Sequence, residues 1–258
     1  MVERVDREKF RIAFSTKKDG NMSLGYGEEK LVHNNRKKFF GELGLHEEEI
    51  LFISPKHSNA VSLGVEKNEI TIYTSPPAVE GDFEGFKNGI DGHLTTSEYP
   101  VGVMTGDCVP LIIYHERSNL HGIIHIGLLG VVNNTIKNLE NIGSDLNIDP
   151  FELGLYMGPS IKQKSYDLKY STLWSGIKER VEKNAQFIKE FIKVTDNSIK
   201  VDLQAAIGSQ LLSIGADPNK IEISSEDTGD TNSKYYSHYI SRITGIPEGR
   251  FLSVIYIG

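Results

Sequence analysis

The sequence predicts an α/β (α+β) fold over residues 1–258, a single layered mixed-sheet domain with flanking helices. Three observations predict it. Stretches with helical and strand periodicity are interleaved without the regular βαβ alternation of a barrel or a dinucleotide fold. No internal repeat, low-complexity tract or linker divides the chain. At 258 residues and 38% apolar content, the chain is long enough to bury a substantial core without covalent staples.

The elements follow from local pattern. Residues 11–16 (Arg-Ile-Ala-Phe-Ser-Thr) alternate like a strand and run into a turn at 18–21, and residues 32–43 predict a helix that stops at Gly44. Short β-rich runs at 50–53, 60–65 and 69–73 are set apart by Pro55 and the Ser75-Pro-Pro77 breaker. Residues 109–114 and 122–125 predict paired strands joined by a polar turn at 115–119, the spacing of a β-hairpin. After Gly127 and Gly130, the residues Val131, Val132, Ile136 and Leu139 have helical spacing, with Gly143 as the expected stop. Two more helices are expected over 168–192 and 201–212, with strands at 155–157, 220–223 and 251–257.

Composition excludes several function classes. A net charge of −7 and a pI near 5.7 argue against a phosphate-backbone footprint, because nucleic-acid binders present a basic face. The clusters Arg36-Lys37-Lys38 and Lys17-Lys18 are read as solvated surface. The start, Met1-Val2-Glu3-Arg4, lacks a secretory pattern, and no run of about 18 apolar residues predicts a membrane span. A cytoplasmic protein, monomer or homodimer, is expected. The single cysteine, Cys108, excludes an intramolecular disulfide and leaves three roles open: core residue, ligand or nucleophile.

Metal-capable and nucleophilic groups concentrate in three segments: Pro55-Lys-His57-Ser-Asn-Ala60, Thr105-Gly-Asp-Cys108-Val-Pro110, and Gly122-Ile-Ile-His125-Ile-Gly-Leu-Leu-Gly130. Each lies at the edge of an expected strand, where a rigid scaffold presents reactive side chains. The separation of His57, Cys108 and His125 matches no zinc-finger spacing, so spacing alone does not make them a ligand set. His121 shares a strand face with His125 and is read as structural.

Together these segments resemble one family. Thr105-Gly-Asp-Cys-Val-Pro-Leu111 is similar to the T-A-D-C-x-P-[VL] signature of the laccase-domain family, long labelled polyphenol oxidoreductases and now associated with purine nucleoside phosphorylase activity. His125-Ile-Gly-Leu-Leu-Gly130 resembles its H-A-G-W-R-G, His57-Ser-Asn-Ala-Val61 its Q-x-H-G-x-x-V, and Asp91-Gly-His-Leu-Thr95 its D-[GA]-x-[VL]-T. Similar residues recur at Phe14-Ser-Thr16, Gly158-Pro-Ser-Ile161, Tyr166, Val201-Asp-Leu203 and Arg250, so the resemblance spans almost the whole chain. It implies a laccase-domain-like fold, zinc held by His57, Cys108 and His125, and purine nucleosides and phosphate as substrates. Three protein ligands would leave a fourth position open, as catalytic rather than structural zinc requires. Phosphorolysis of adenosine, inosine, guanosine or methylthioadenosine, and deamination of adenosine, are what the resemblance implies. Of Asp91 and Asp107, one is expected to be a general acid or base and the other to orient a ligating histidine; a turn cap and backbone bonding are their alternative roles.

The departures fall at the same place. Leu128-Leu129 stand where the family has Trp-Arg, Pro55 replaces its Gln, and Tyr239-Ile240 stand where it has two arginines. Arginine grips phosphate bidentately, so Arg36, Lys56 and Arg250 become the expected substrate-binding cations, with Arg242 a further source of charge. Multicopper oxidation is excluded, since the chain contains no His-x-His pair. A metal-free Cys-His hydrolase with Cys108 as nucleophile, and a non-catalytic zinc-binding paralogue, are the competing readings.

Overall fold

The strand that carries Leu111, Ile112 and Ile113 is apolar on both faces, which demands a covering layer on each side. The computed structural model describes residues 2–66, 69–74, 89–168, 190–194 and 199–258 and supplies both layers. In chain order its elements are β1 (Glu3–Asp6), β2 (Phe10–Phe14), α1 (Glu29–Leu43), β3 (Leu51–Ile53), β4 (Ala60–Glu66), β5 (Glu69–Thr74), β6 (Gly92–Thr95) and β7 (Val101–Thr105). There follow β8 (Val109–His115), β9 (Leu120–Ile126), α2 (Leu128–Val132), α3 (Asn138–Leu146), β10 (Gly154–Met157), β11 (Asp167–Leu168), β12 (Ile192–Val194) and β13 (Ile199–Val201). The chain closes with α4 (Leu203–Ser213), β14 (Ile221–Ile223), α5 (His238–Thr244) and β15 (Phe251–Ile257).

Among the described residues, β1-β2-β15-β7-β3 form one mixed sheet and β14-β10-β8-β9-β6-β4-β5 a second; β11-β13-β12 make a small third. The two large sheets pack face to face through Phe10, Ile12, Val103 and Phe251 from one and Ile112 and Ile123 from the other. The outer face of the first is covered by Phe39 and Phe40 of α1. The outer face of the second packs Leu111, Ile113 and Ile124 against Val131, Leu139 and Ile207 of the flanking helices. The result is four layers, helix, sheet, sheet, helices, in which the residue period of two sends alternate side chains of β8 and β9 into different cores.

Several expectations are met. The β8–β9 hairpin forms with Leu111 opposite Ile124, and Gly44, in the left-handed region at φ 74°, stops α1. Other elements differ. The single helix expected after Gly127 is broken: Asn134 is left-handed (φ 51°) between α2 and α3, and Gly143 lies inside α3, which ends at Asn147. Gly143 instead permits close return of the chain, since a Cβ there would stand 2.6 Å from the Ile148 carbonyl oxygen. At the ends of the helix expected over 168–192, Leu168 and Ile192 are in strands β11 and β12; residues 169–189 lie outside the described residues, as do Ser75-Pro-Pro77. Val201 closes β13, and Asp202 caps α4 by accepting from the Ala205 N–H at 3.0 Å, so that helix starts at Leu203. No helix among the described residues is long and apolar enough to cross a membrane.

His121 is fully buried, its ring nitrogens 2.9 Å and 3.0 Å from the carbonyl oxygens of Asn119 and Tyr99, which agrees with a structural role. His93 on β6 is also buried, with Nδ1 2.7 Å from Ser62 Oγ. Burial, then repulsion from His121, lowers its pKa to about 4. The folded state therefore refuses a proton that the unfolded chain accepts near pH 6.5. The contribution of His93 to stability is predicted to be intact above pH 6.5 and to fall by up to about 3 kcal/mol as the pH drops towards 4. The difference in urea-unfolding free energy between wild type and His93→Gln should shrink across that range, since other groups that titrate there are common to both proteins.

Candidate metal centre

Two connections cross from the five-stranded to the seven-stranded sheet at the same end of the sandwich: β3 to β4 and β7 to β8. His57 lies in the first and Cys108 in the second. Because β9 pairs with β8 so that His125 stands opposite Pro110, His125 arrives beside the start of β8. Three residues separated by long stretches of sequence thus meet through topology. Their ligand atoms all lie within 4.8 Å of one another. Cys108 Sγ is 3.8 Å from His57 Nε2, and the two imidazoles meet edge to face at 5.0 Å between ring centroids. His125 is buried, Cys108 half-buried and His57 exposed, so the cluster has a closed side and an open one.

Asp91, just before β6, organises the group. Its buried carboxylate accepts from the His57 N–H at 3.0 Å, from the Ser58 N–H at 2.5 Å and hydroxyl at 2.6 Å, and from His125 Nδ1 at 2.9 Å. The first of these bonds holds His57 in the left-handed region (φ 56°), an uncommon backbone for a non-glycine residue. The last fixes the His125 tautomer, with Nδ1–H on the carboxylate and Nε2 turned to the cluster. Burial pushes the Asp91 carboxyl up, and the bonds from His125 and Ser58 outweigh it, holding it below the usual range. A further tie, from Asn138 Nδ2 to the Asn59 carbonyl at 2.7 Å, fastens the His57 loop to α3.

Asp107 secures the other side. Its carboxylate accepts from Ser237 Oγ at 2.6 Å, the Tyr239 N–H at 2.7 Å and Thr228 Oγ1 at 2.8 Å, and so caps α5 against the Cys108 turn. Burial nevertheless raises its pKa to about 6. For Cys108, burial favours the thiol, but the positive field of His125 and His57 wins and lowers its pKa. Burial works against a charged His125, and Cys108 and Asp91 reverse that too. Each group favours the charged form of the other, so a thiolate beside an imidazolium is the favoured state of the pair.

Such a donor set fits a divalent metal of the zinc type: one soft thiolate, two imidazole nitrogens, an outer carboxylate on one imidazole, and an open fourth side. No second group of three or more metal-capable side chains occurs among the described residues, so a multi-site copper centre has no ligands there. The cluster also needs Gly127, where a Cβ would stand 2.7 Å from Cys108 Sγ and 3.2 Å from His57 Cδ2.

The expected substrate-binding cations are placed differently. Arg36 is buried on α1; its Nε donates to the Met22 carbonyl, its Nη1 pairs with Glu47, and its guanidinium stacks 4.7 Å from the Phe52 ring centre. It is committed to holding α1 and is not brought to the cluster. Arg250 runs beside Gly106 but is held by Glu248 at 2.8 Å and the Tyr26 hydroxyl at 2.7 Å. Lys56, adjacent to His57, is exposed. Sequence reasoning missed α5, although Ser237 as N-cap and Gly245 as left-handed stop were both readable signals. It also missed the edge-to-face contact of Tyr166 with Tyr239, which only the fold creates.

Comparison with known proteins bears on the family and the fold. A family model described as multi-copper polyphenol oxidoreductase laccase matches residues 13–258. A purine nucleoside phosphorylase of Rickettsia prowazekii is 26% identical over 212 residues, 81% of this chain and 79% of that protein. One from Campylobacter jejuni is 26% identical over 232 residues, covering 88% and 84%. The crystal structure of the hypothetical protein YfiH of Bacillus licheniformis has a TM-score of 0.78 at 21% identity, covering 96% of this chain and 93% of that one. That of YlmD from Geobacillus stearothermophilus also scores 0.78, at 20% identity, with 97% and 92% covered. These structural likenesses establish the shared fold.

Gly127→Ala is predicted to open the cluster by forcing Cys108 and His57 apart. Metal affinity, read by competition with a chromogenic chelator, should fall by at least about 10-fold, as when a supporting residue of a metal site is lost. Retention of wild-type affinity would show that the close approach at Gly127 is unimportant.

Proposed function

The chain belongs to the multi-copper polyphenol oxidoreductase laccase family, and from that premise we propose that it is a zinc-dependent purine nucleoside phosphorylase of the cytoplasm. The observation that carries this reading is the convergence of His57, Cys108 and His125, all within 4.8 Å at their ligand atoms, with Asp91 holding the buried imidazole. Relatives named purine nucleoside phosphorylase, matching across most of their length, supply the reaction class.

Zinc held by these three residues would supply a Lewis acid with one free position. The chain's own groups do the rest. Asp91 keeps Nδ1–H of His125 engaged and fixes the His57 turn, so both imidazoles present Nε2 without reorganisation. Asp107, with three donors on its carboxylate, holds the Cys108 turn against α5. The two acids are therefore assigned to positioning. Lys56, exposed beside His57, supplies positive charge for phosphate, while Arg36 and Arg250 are neutralised by Glu47 and Glu248. In the reaction an oxygen of hydrogen phosphate bonds to the ribose anomeric carbon as the bond from that carbon to the purine nitrogen breaks, and the leaving purine takes up the proton that the phosphate loses. Methylthioadenosine, adenosine, inosine and guanosine share that bond; adenosine deamination would use water at the purine ring instead.

One observation favours a second reading, a binding paralogue without turnover. Leu128 is buried in the core and Leu129 half-buried on the first turn of α2, so no cation extends from beside His125.

Purified protein given adenosine is predicted to release adenine only when phosphate is present. Cys108→Ala should lose its zinc and more than about 100-fold of the rate, a larger loss than removal of an outer-shell partner causes. Inosine formation alone would favour the deaminase. Full activity in zinc-stripped protein would favour a Cys-His hydrolase, and bound zinc without turnover on any purine nucleoside would favour the paralogue.

A further inference from the structure

We infer that Tyr166 binds the nucleoside through its phenolic hydroxyl, a positioning contact in the site already described; the inference rests on the nucleoside reading above. The segment that carries it is strapped down at both ends. At one end the Ile161 N–H donates to the Asp107 carbonyl at 2.9 Å, joining the segment to the Cys108 turn. At the other, the Asp227 carboxylate accepts from the Lys162 N–H at 3.0 Å, the Ser165 hydroxyl at 2.7 Å and the Gly229 N–H at 3.0 Å. The Tyr166 N–H then closes a turn on the Lys162 carbonyl at 2.9 Å. Gly229 allows the close packing this needs, as a Cβ there would stand 2.6 Å from Ser165 Cβ.

The ring is held as firmly as the backbone. It meets Tyr239 edge to face, 6.0 Å between centroids at 87°, and Tyr239 is itself fixed by its N–H on Asp107 and its hydroxyl on the Asp167 carbonyl at 2.8 Å. Asp107 thus anchors the cysteine turn, the Tyr166 segment through its carbonyl, and the aromatic neighbour through its carboxylate. By contrast, the Tyr166 hydroxyl has no hydrogen-bond partner among the described residues, and the residue is half-buried. A half-buried phenol that is rigid at every other point, yet unpaired at its polar tip, is preorganised for a ligand group.

The surroundings specify what that group is. A phenolic hydroxyl is an uncharged donor at neutral pH. A neutral donor beside anionic groups suits a sugar oxygen or a purine ring nitrogen, whereas a phosphate dianion calls for a cation.

The test compares wild-type and Tyr166→Phe protein, both zinc-loaded, in steady-state phosphorolysis of adenosine and inosine. The substitution keeps the ring and its contact with Tyr239. The expected result is a KM raised roughly 3- to 10-fold, the worth of one hydrogen bond, with kcat within about twofold, and with zinc content and melting temperature unchanged. Unchanged KM in a variant of an active wild type would overturn the inference and leave the phosphorylase reading standing. A lower melting temperature or zinc content accompanying the KM change would make the residue structural, which overturns it equally. Wild-type protein inert on both nucleosides would overturn the functional reading, and this contact with it.

Discussion

A buried carboxylate surrounded by donors from two separate segments is the constraint on which the site depends. Asp91 would be costly to bury alone. It is stable because the His57 turn, the Ser58 hydroxyl and the His125 imidazole all donate to it. The same residue extends the sheet: its N–H donates to the Ala60 carbonyl, and its own carbonyl accepts from the His125 N–H. Main-chain pairing of β4, β6 and β9 therefore carries through to the ligands. Deleting this carboxylate would free His57 from its left-handed backbone and leave the His125 tautomer unfixed, two losses from one group.

Around that hub the layered architecture explains why the cluster sits where it does. Loops that stay within one sheet can be short and peripheral, but β3 to β4 and β7 to β8 must pass from one sheet to the other. Their crossing points lie at the mouth of the interface filled by Phe10, Ile112, Ile123 and Phe251. Side chains placed there have a rigid floor and an open front. Asp107 performs for the Cys108 crossing what Asp91 performs for the His57 crossing, fastening it to the C-terminal segment through Ser237 and Tyr239.

How much of this was legible in the sequence varies with the range of the interactions. The β8–β9 hairpin and the Gly44 stop follow from local pattern, because a strand period and a left-handed cap act within a few residues. The short strands β6 and β7 offer too few residues for a period to show. The helix expected from 201 gave way to Asp202, a cap that competes with helix on its N-terminal side. His57, Cys108 and His125 were identifiable as a group only through resemblance, since nothing in their spacing announces a cluster that two sheet crossings assemble. Arg36 illustrates the opposite failure. As a sequence it is a free cation, and only the packing of α1 shows it spent on Glu47 and Phe52.

The chemistry of the cluster follows from its composition: a thiolate and two imidazole nitrogens, one supported by a carboxylate, facing an opening on the His57 side. The most direct test is X-ray absorption at the zinc edge on protein purified without added metal. The account predicts stoichiometric zinc with one sulfur at about 2.3 Å and nitrogen or oxygen neighbours at about 2.0–2.1 Å. Zinc without a sulfur neighbour, or a protein that takes up no zinc, would contradict it.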